Sequence, residues 1–179
     1  ELKSWTKVFI DLSHKITKKK LEFIDSFLKN FPVFVDSLSL PENLKDKFKK
    51  ISINYDKGWK ESLLEELRES FVKDQARGFT SLGPQTSDLS VKINKQDSGN
   101  ILSRGEQKLL ILLIYLFFIK AYNDLRPNKT IFLLDDLPSE LDKRNLDLAL
   151  NLLQDVDCQL FITSLEYLEK YKFDFVIDL

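Results

Sequence analysis

Hydrophobic and polar positions change their period along the chain, and each change marks an element. Over roughly the first fifty residues Leu2, Trp5, Val8, Phe9, Leu12 and Ile16 recur at helical spacing, and Leu21, Ile24, Phe27 and Leu28 continue the stripe. Pro32 and Pro41 interrupt it and are expected to end helices. Ile51-Ser52-Ile53-Asn54-Tyr55 alternates, which predicts a strand stopped by Asp56-Lys57-Gly58. Leu63, Leu64, Leu67 and Phe71 then predict a helix to about Arg77, with Glu65, Glu66 and Glu69 facing water. At Gly78 the composition shifts to small residues, giving a loop through Leu89, a short strand over 90–93 and a turn over 96–100. From Ser103 onward helical and strand patterns alternate: helix 103–123, strand 130–135, helix 139–155, strand 158–163, a short helix, and strand 173–177. Strands separated by helices of this length predict parallel pairing through crossover connections, an α/β arrangement.

One stretch concentrates the chemistry. Ile131-Phe132-Leu133-Leu134 is a short, non-alternating apolar run, expected to be a strand buried on both faces, and it ends in Asp135-Asp136. Two carboxylates at the end of such a strand are costly unless something there needs negative charge. A magnesium ion carrying a nucleotide phosphate would meet that need, and the carboxyl ends of parallel strands are where ligand crevices form. An Asp-rich turn that only caps the next helix is the plainer reading of the same residues.

A second stretch, Leu102-Ser103-Arg104-Gly105-Glu106, has capping-box spacing. Ser103 can cap the helix while Glu106 reaches back to the Ser103 amide. That accounts for both residues but not for Gly105, which lowers helix stability and is expected to let another molecule approach the backbone. An open helix start with a serine hydroxyl suits an anion such as phosphate.

Composition narrows the classes. With 43% hydrophobic residues and 14 Phe the chain can bury a sizeable core, and its net charge of −1 gives no global attraction to nucleic acid. Two lysine clusters, Lys15 with Lys18, Lys19 and Lys20, and Lys45 with Lys47, Lys49 and Lys50, are either solvated helix faces or phosphate-backbone contacts. The lone His14 has no neighbour with which to form a metal or catalytic site. The lone Cys158 points to a reducing compartment, and no apolar run is long enough to cross a bilayer. The chain contains no Met, which suggests a piece of something longer.

Leu102 to Glu106 resembles the signature motif of ABC-type ATPases, 131–136 their Walker B strand, Ser139-Glu140-Leu141-Asp142 their D-loop, and Phe161-Ile162-Thr163-Ser164 their switch strand. Within that superfamily the chain resembles the RecF family of bacterial recombination mediators. Arg104 replaces the first glycine of the usual signature pair, and Asp136 stands where many relatives carry Glu. The loop 78–89 resembles a RecF stretch of Gly-Pro-His-Arg followed by Asp-Leu, but with Gln85-Thr86 in place of His-Arg. Glu106 likewise replaces the more frequent Gln.

The resemblance implies a helical arm over 1–77 and the C-terminal lobe of an ABC-type ATPase head over 78–179. It implies ATP and magnesium as cofactors, with Asp135 on the metal and Asp136 on the attacking water. Ser103, Arg104, Gly105 and Glu106 would contact ATP of a second subunit in trans, Ser139 and Asp142 would lie along the dimer interface, and Thr163 would sit near the γ-phosphate. It also implies a cytoplasmic protein, an ATP-dependent homodimer on duplex DNA near single-strand gaps, and RecR, RecO and RecA as partners. An SMC-like head and a non-enzymatic interaction fragment are the alternatives.

None of the five glycines opens a P-loop, since Gly78 and Gly83 are followed by Pro84-Gln85 rather than Lys-Ser/Thr. The 179-residue chain alone is therefore expected neither to bind ATP tightly nor to hydrolyse it, which a turnover assay on the purified chain checks. Apolar surface is expected on the sheet containing Ile131 to Leu134, along the edge where missing strands would pair.

Overall fold

The computed structural model describes residues 2–125, 130–165, 171 and 173–177, with α1 (Leu2–Ser37), α2 (Glu42–Phe48), β1 (Ile51–Asp56), α3 (Leu63–Arg77), β2 (Asp88–Ile93), β3 (Gln96–Asp97), α4 (Ser98–Ile101), α5 (Arg104–Leu125), β4 (Thr130–Leu134), α6 (Lys143–Gln154) and β5 (Cys158–Ile162). These form two compact units, one of Glu1–Asn30 with Lys50–Asp97 and the other of Phe31–Lys49 with Ser98–Leu179.

In the first unit β1, β2 and β3 form an antiparallel sheet in that order. Ile51 pairs with Ile93, and both are buried. The β2–β3 link is the two-residue turn Asn94-Lys95, both at positive φ, as a hairpin turn matching strand twist requires. Ser62 caps α3 by accepting the Glu65 amide, and Gly78 ends it in the left-handed conformation. Gly58, at φ +88°, lies against the Gly83 carbonyl, whose residue returns an amide bond to the Gly58 oxygen at 3.2 Å. A side chain at 58 would collide with that carbonyl.

The expected break at Pro32 does not occur, because α1 runs through it to Ser37. A mid-helix proline loses one backbone bond and costs about 3 kcal/mol. Phe31 and Val35 on either side are fully buried, and each contributes about 1.5–3 kcal/mol, so packing outweighs the local defect. The seat for Phe31 is aromatic: its ring meets Phe117 at 5.8 Å and Phe34 at 6.1 Å.

The second unit is built on α5, whose Leu109, Leu110, Leu112, Leu113, Leu116 and Ile119 are buried. From α6, Ala149, Leu150, Leu152 and Leu153 join the same unit's core. β4 and β5 pair in parallel with Thr130 opposite Cys158 and Leu134 opposite Ile162, α6 being the connection between them. Burial alternates along both strands, so the expectation of burial on both faces is corrected. One face carries Phe132, in contact with Tyr115 of α5 at 5.9 Å. The other is bare, with Ile131 61%, Leu133 70% and Phe161 52% exposed. Apolar surface is thus present, on a face of the sheet rather than along an edge. Ile111, Tyr115 and Tyr122 form a further exposed apolar stripe on α5.

The strand expected over 173–177 is not formed. Phe175, Val176 and Ile177 are exposed and pair with neither β4 nor β5, so an apolar run with strand composition lacks the partner that would make it a strand. The short helix expected before it falls largely outside the described residues.

Candidate active site

Two groups of residues are assembled where chain elements begin or end. The first lies at the carboxyl ends of β4 and β5. The ladder extends one step beyond the strands, with the Thr163 amide donating to the Leu134 carbonyl at 2.9 Å. The Thr163 hydroxyl then donates to Asp135 Oδ1 at 2.7 Å and accepts from the Asp136 amide at 2.8 Å. Thr163 thereby ties the two acids to the neighbouring strand and leaves Asp135 Oδ2 unbonded among the described residues.

Asp136 holds φ 44°, ψ 47°, a left-handed conformation in which Asp is found more often than most other residues. It opens a single 3₁₀ turn, Leu137–Glu140, in which the Ser139 amide and hydroxyl both donate to the Asp136 carbonyl, at 3.2 and 3.0 Å. The Asp136 carboxylate has no hydrogen-bond partner among the described residues. The adjacent acids are therefore unlike: Asp135 is held by a hydroxyl, and Asp136 keeps both carboxylate oxygens unpaired among the described residues. Among the described residues no group of three His, Cys, Asp or Glu side chains could by itself enclose a metal. Magnesium needs only one or two protein carboxylates when phosphates and waters fill its other positions, so Asp135 fits such an ion.

The second group lies at the starts of α5 and α6. The capping box forms, with the Ser103 amide donating to Glu106 Oε2 at 2.8 Å and the Glu106 amide to Ser103 Oγ at 3.3 Å. Glu106 also takes the Lys47 ammonium on Oε1 at 2.6 Å. Asp142 caps α6, accepting the Asn145 amide on Oδ1 at 2.8 Å and its side-chain Nδ2 on Oδ2 at 2.9 Å. Asn145 is buried, and a Cβ at Gly105 would stand 2.5 Å from its Nδ2. A close approach that Gly105 permits is therefore made from within the chain, by Asn145. Arg104 is exposed and forms no ion pair among the described residues.

Burial pushes the Glu106 carboxyl up, but the Lys47 ammonium and the Ser103 amide outweigh it and hold the group below its ordinary value. A depressed folded-state value makes the stabilisation complete above the unfolded carboxyl range near pH 4.3 and removes it as pH falls through the folded value. Glu106→Gln is expected to lower stability by about 1 kcal/mol at pH 7 and to flatten the acid side of the stability curve, which urea denaturation at stepped pH measures.

The sequence singled out Ser103, Glu106, Asp135, Asp136 and Thr163, held Lys47 only as one of a lysine cluster, and missed Asn145. Asn145 did carry a signal, since it shares with Ala149 and Leu152 the apolar stripe of α6 where an amide needs an explanation. Of the two lysine clusters, Lys20 donates to Pro84 O at 3.1 Å and Ser87 Oγ at 2.5 Å, and Lys49 pairs with Asp36 at 2.9 Å. Lys15, Lys18 and Lys19 stay exposed on α1, and so does His14, whose ring meets Trp59 edge-on at 5.8 Å.

No family model matches the chain. Among curated proteins it is similar to the DNA replication and repair protein RecF of Pseudomonas aeruginosa strain LESB58, 34% identical over 150 residues that cover 80% of this chain and 40% of that protein. RecF of Saccharophagus degradans is 28% identical over 169 residues, covering 93% of this chain and 45% of that protein. Among solved structures, one of the recombination mediator protein RecF with ATP in the RecFOR pathway shares the fold at a TM-score of 0.55 and 23% identity, over 88% of this chain and 44% of that one. The chain spans about two fifths of the length of the first of these curated relatives.

Proposed function

We infer, from its similarity to RecF over four-fifths of its length, that the chain acts as the C-terminal part of a DNA replication and repair ATPase. In this reading 1–77 is the arm and 78–179 the second lobe of the ATPase head. The missing phosphate cradle belongs to a preceding part, which would also cover the bare face of β4 and β5. The observation that carries the reading is the Thr163 hydroxyl bridging Asp135 and the Asp136 amide at the ends of two parallel strands.

Asp135 would hold magnesium, which supplies neutralisation of phosphate charge when bound. Thr163 fixes one oxygen of Asp135 so that the other faces outward, and Asp136 orients or deprotonates the attacking water. Ser103, Arg104, Gly105 and Glu106 present a helix start to the γ-phosphate on a second subunit, with Ser139 and Asp142 along the interface. ATP then joins two heads, and hydrolysis releases them. The output is ATP-controlled binding to duplex DNA near single-strand gaps in the cytoplasm, where the protein assists RecR and RecO in loading RecA.

The test is sedimentation velocity of the complete protein with and without ATP and magnesium, beside Ser103→Arg. The parent is expected to dimerise only with ATP and the variant to stay monomeric, because an arginine at the helix start occupies the phosphate position. A variant that still dimerises reduces Ser103 to a helix cap and favours the interaction-fragment reading.

A further inference from the structure

The bond between Lys47 and Glu106 does more than fasten α2 to α5. Glu106 closes the capping box, and that task needs only an acceptor: a neutral Gln in its place would take the Ser103 amide as well. The carboxylate therefore brings a charge that the helix start does not require. Its Oε2 lies 2.8 Å from the Ser103 nitrogen, and the Glu106 amide donates to Ser103 Oγ at 3.3 Å, so the charge stands within one hydrogen bond of the serine. The Ser103 hydroxyl still has its own hydrogen to donate. A negative group arriving at that hydroxyl meets Glu106 as a like charge.

Lys47 removes that conflict. Its Nζ stands 2.6 Å from Glu106 Oε1, the oxygen that the serine does not use. The Glu106 side chain is 16% and the Lys47 side chain 35% exposed, so water and salt screen the pair only in part. Among the described residues Lys47 is the one cation paired with Glu106, and Arg104 is not. Asp142, the other acid beside Gly105, has both oxygens engaged by Asn145 and caps α6, whose own positive end offsets its charge. We propose that Lys47 is a positioning residue for the phosphate contact: acting through Glu106, it cancels the carboxylate charge beside Ser103, so that the start of α5 accepts the γ-phosphate of ATP on a second subunit. This role rests on the reading that Ser103 makes that contact in trans.

The test is sedimentation velocity of the complete protein over a range of ATP concentrations with magnesium, for Lys47→Gln, Glu106→Gln and the double variant. All three lose the ion pair, but they differ in local charge, which becomes more negative in Lys47→Gln, more positive in Glu106→Gln and stays unchanged in the double variant. The ATP concentration at half-dimerisation is expected to rise about tenfold in Lys47→Gln, as like charges close together at a partly screened site require. It is expected to fall in Glu106→Gln, despite that variant's lower resistance to urea, and to return to the parental range in the double variant. Equal weakening of all three overturns the proposal, because the pair is then a fastener alone. A parent that does not dimerise with ATP overturns the trans reading and this role together. A parent that does, beside a monomeric Ser103→Arg and an unaffected Lys47→Gln, keeps the reading and overturns the role of Lys47.

Discussion

Asp136→Asn in the complete protein is expected to lower ATP turnover by about 10²–10⁴-fold and to leave ATP-driven dimerisation intact. The choice of asparagine follows from the backbone. Asp136 sits at φ 44°, ψ 47°, where Asn is as acceptable as Asp, whereas alanine would add about 1–2 kcal/mol of strain and confound chemistry with folding. The amide bond to the Thr163 hydroxyl and the Ser139 bonds to the Asp136 carbonyl come from the main chain, so the variant keeps them. Only the charge and the basicity are lost. Phosphate release measured beside sedimentation separates the two effects, and turnover at the parental rate would leave Asp136 as a turn residue alone.

Phe31→Ala is expected to destabilise the second unit by about 3–5 kcal/mol. The ring is fully buried and packs edge-on against Phe117 at 5.8 Å, a geometry worth about 0.5–1.5 kcal/mol beyond the area it buries. It also lies beside Pro32, where the helix lacks a backbone bond and relies on side-chain packing to continue. Val33 is 70% exposed on the same turn, and Val33→Ala is expected to stay within about 0.5 kcal/mol. Urea denaturation of both variants checks the contrast. A small loss for Phe31→Ala would mean that the end of α1 is not seated as described.

The parts of the fold that were legible in the sequence are those decided locally. β4 and β5 are short apolar runs flanking a helix of crossover length, and Ser103 and Glu106 stand at capping-box spacing, so their pairing needed no distant information. What was not legible depended on partners far along the chain. Phe173 to Ile177 has strand composition, but composition cannot supply an edge to pair with. Pro32 reads as a stop unless the burial of Phe31 and Val35 is known. Gly105 signalled a close approach correctly, but only the placement of α6 shows that Asn145 makes it. Lys47 reaches Glu106 across 59 residues of sequence, and Thr163 reaches Asp135 across 28. Nothing in the spacing of those residues predicts either bond, and only the resemblance placed Thr163 near the acids.

The bare face of β4 and β5 has a thermal consequence. Ile131, Leu133 and Phe161 present adjoining apolar side chains to water on a sheet that has two strands among the described residues. A net charge of −1 provides almost no long-range repulsion between copies. Contact between two such faces is driven near room temperature by the entropy of released water, so it strengthens on warming and fades on cooling. Concentrated solutions of the chain alone should therefore turn cloudy as they warm, below the temperature at which either unit unfolds, and clear again in the cold.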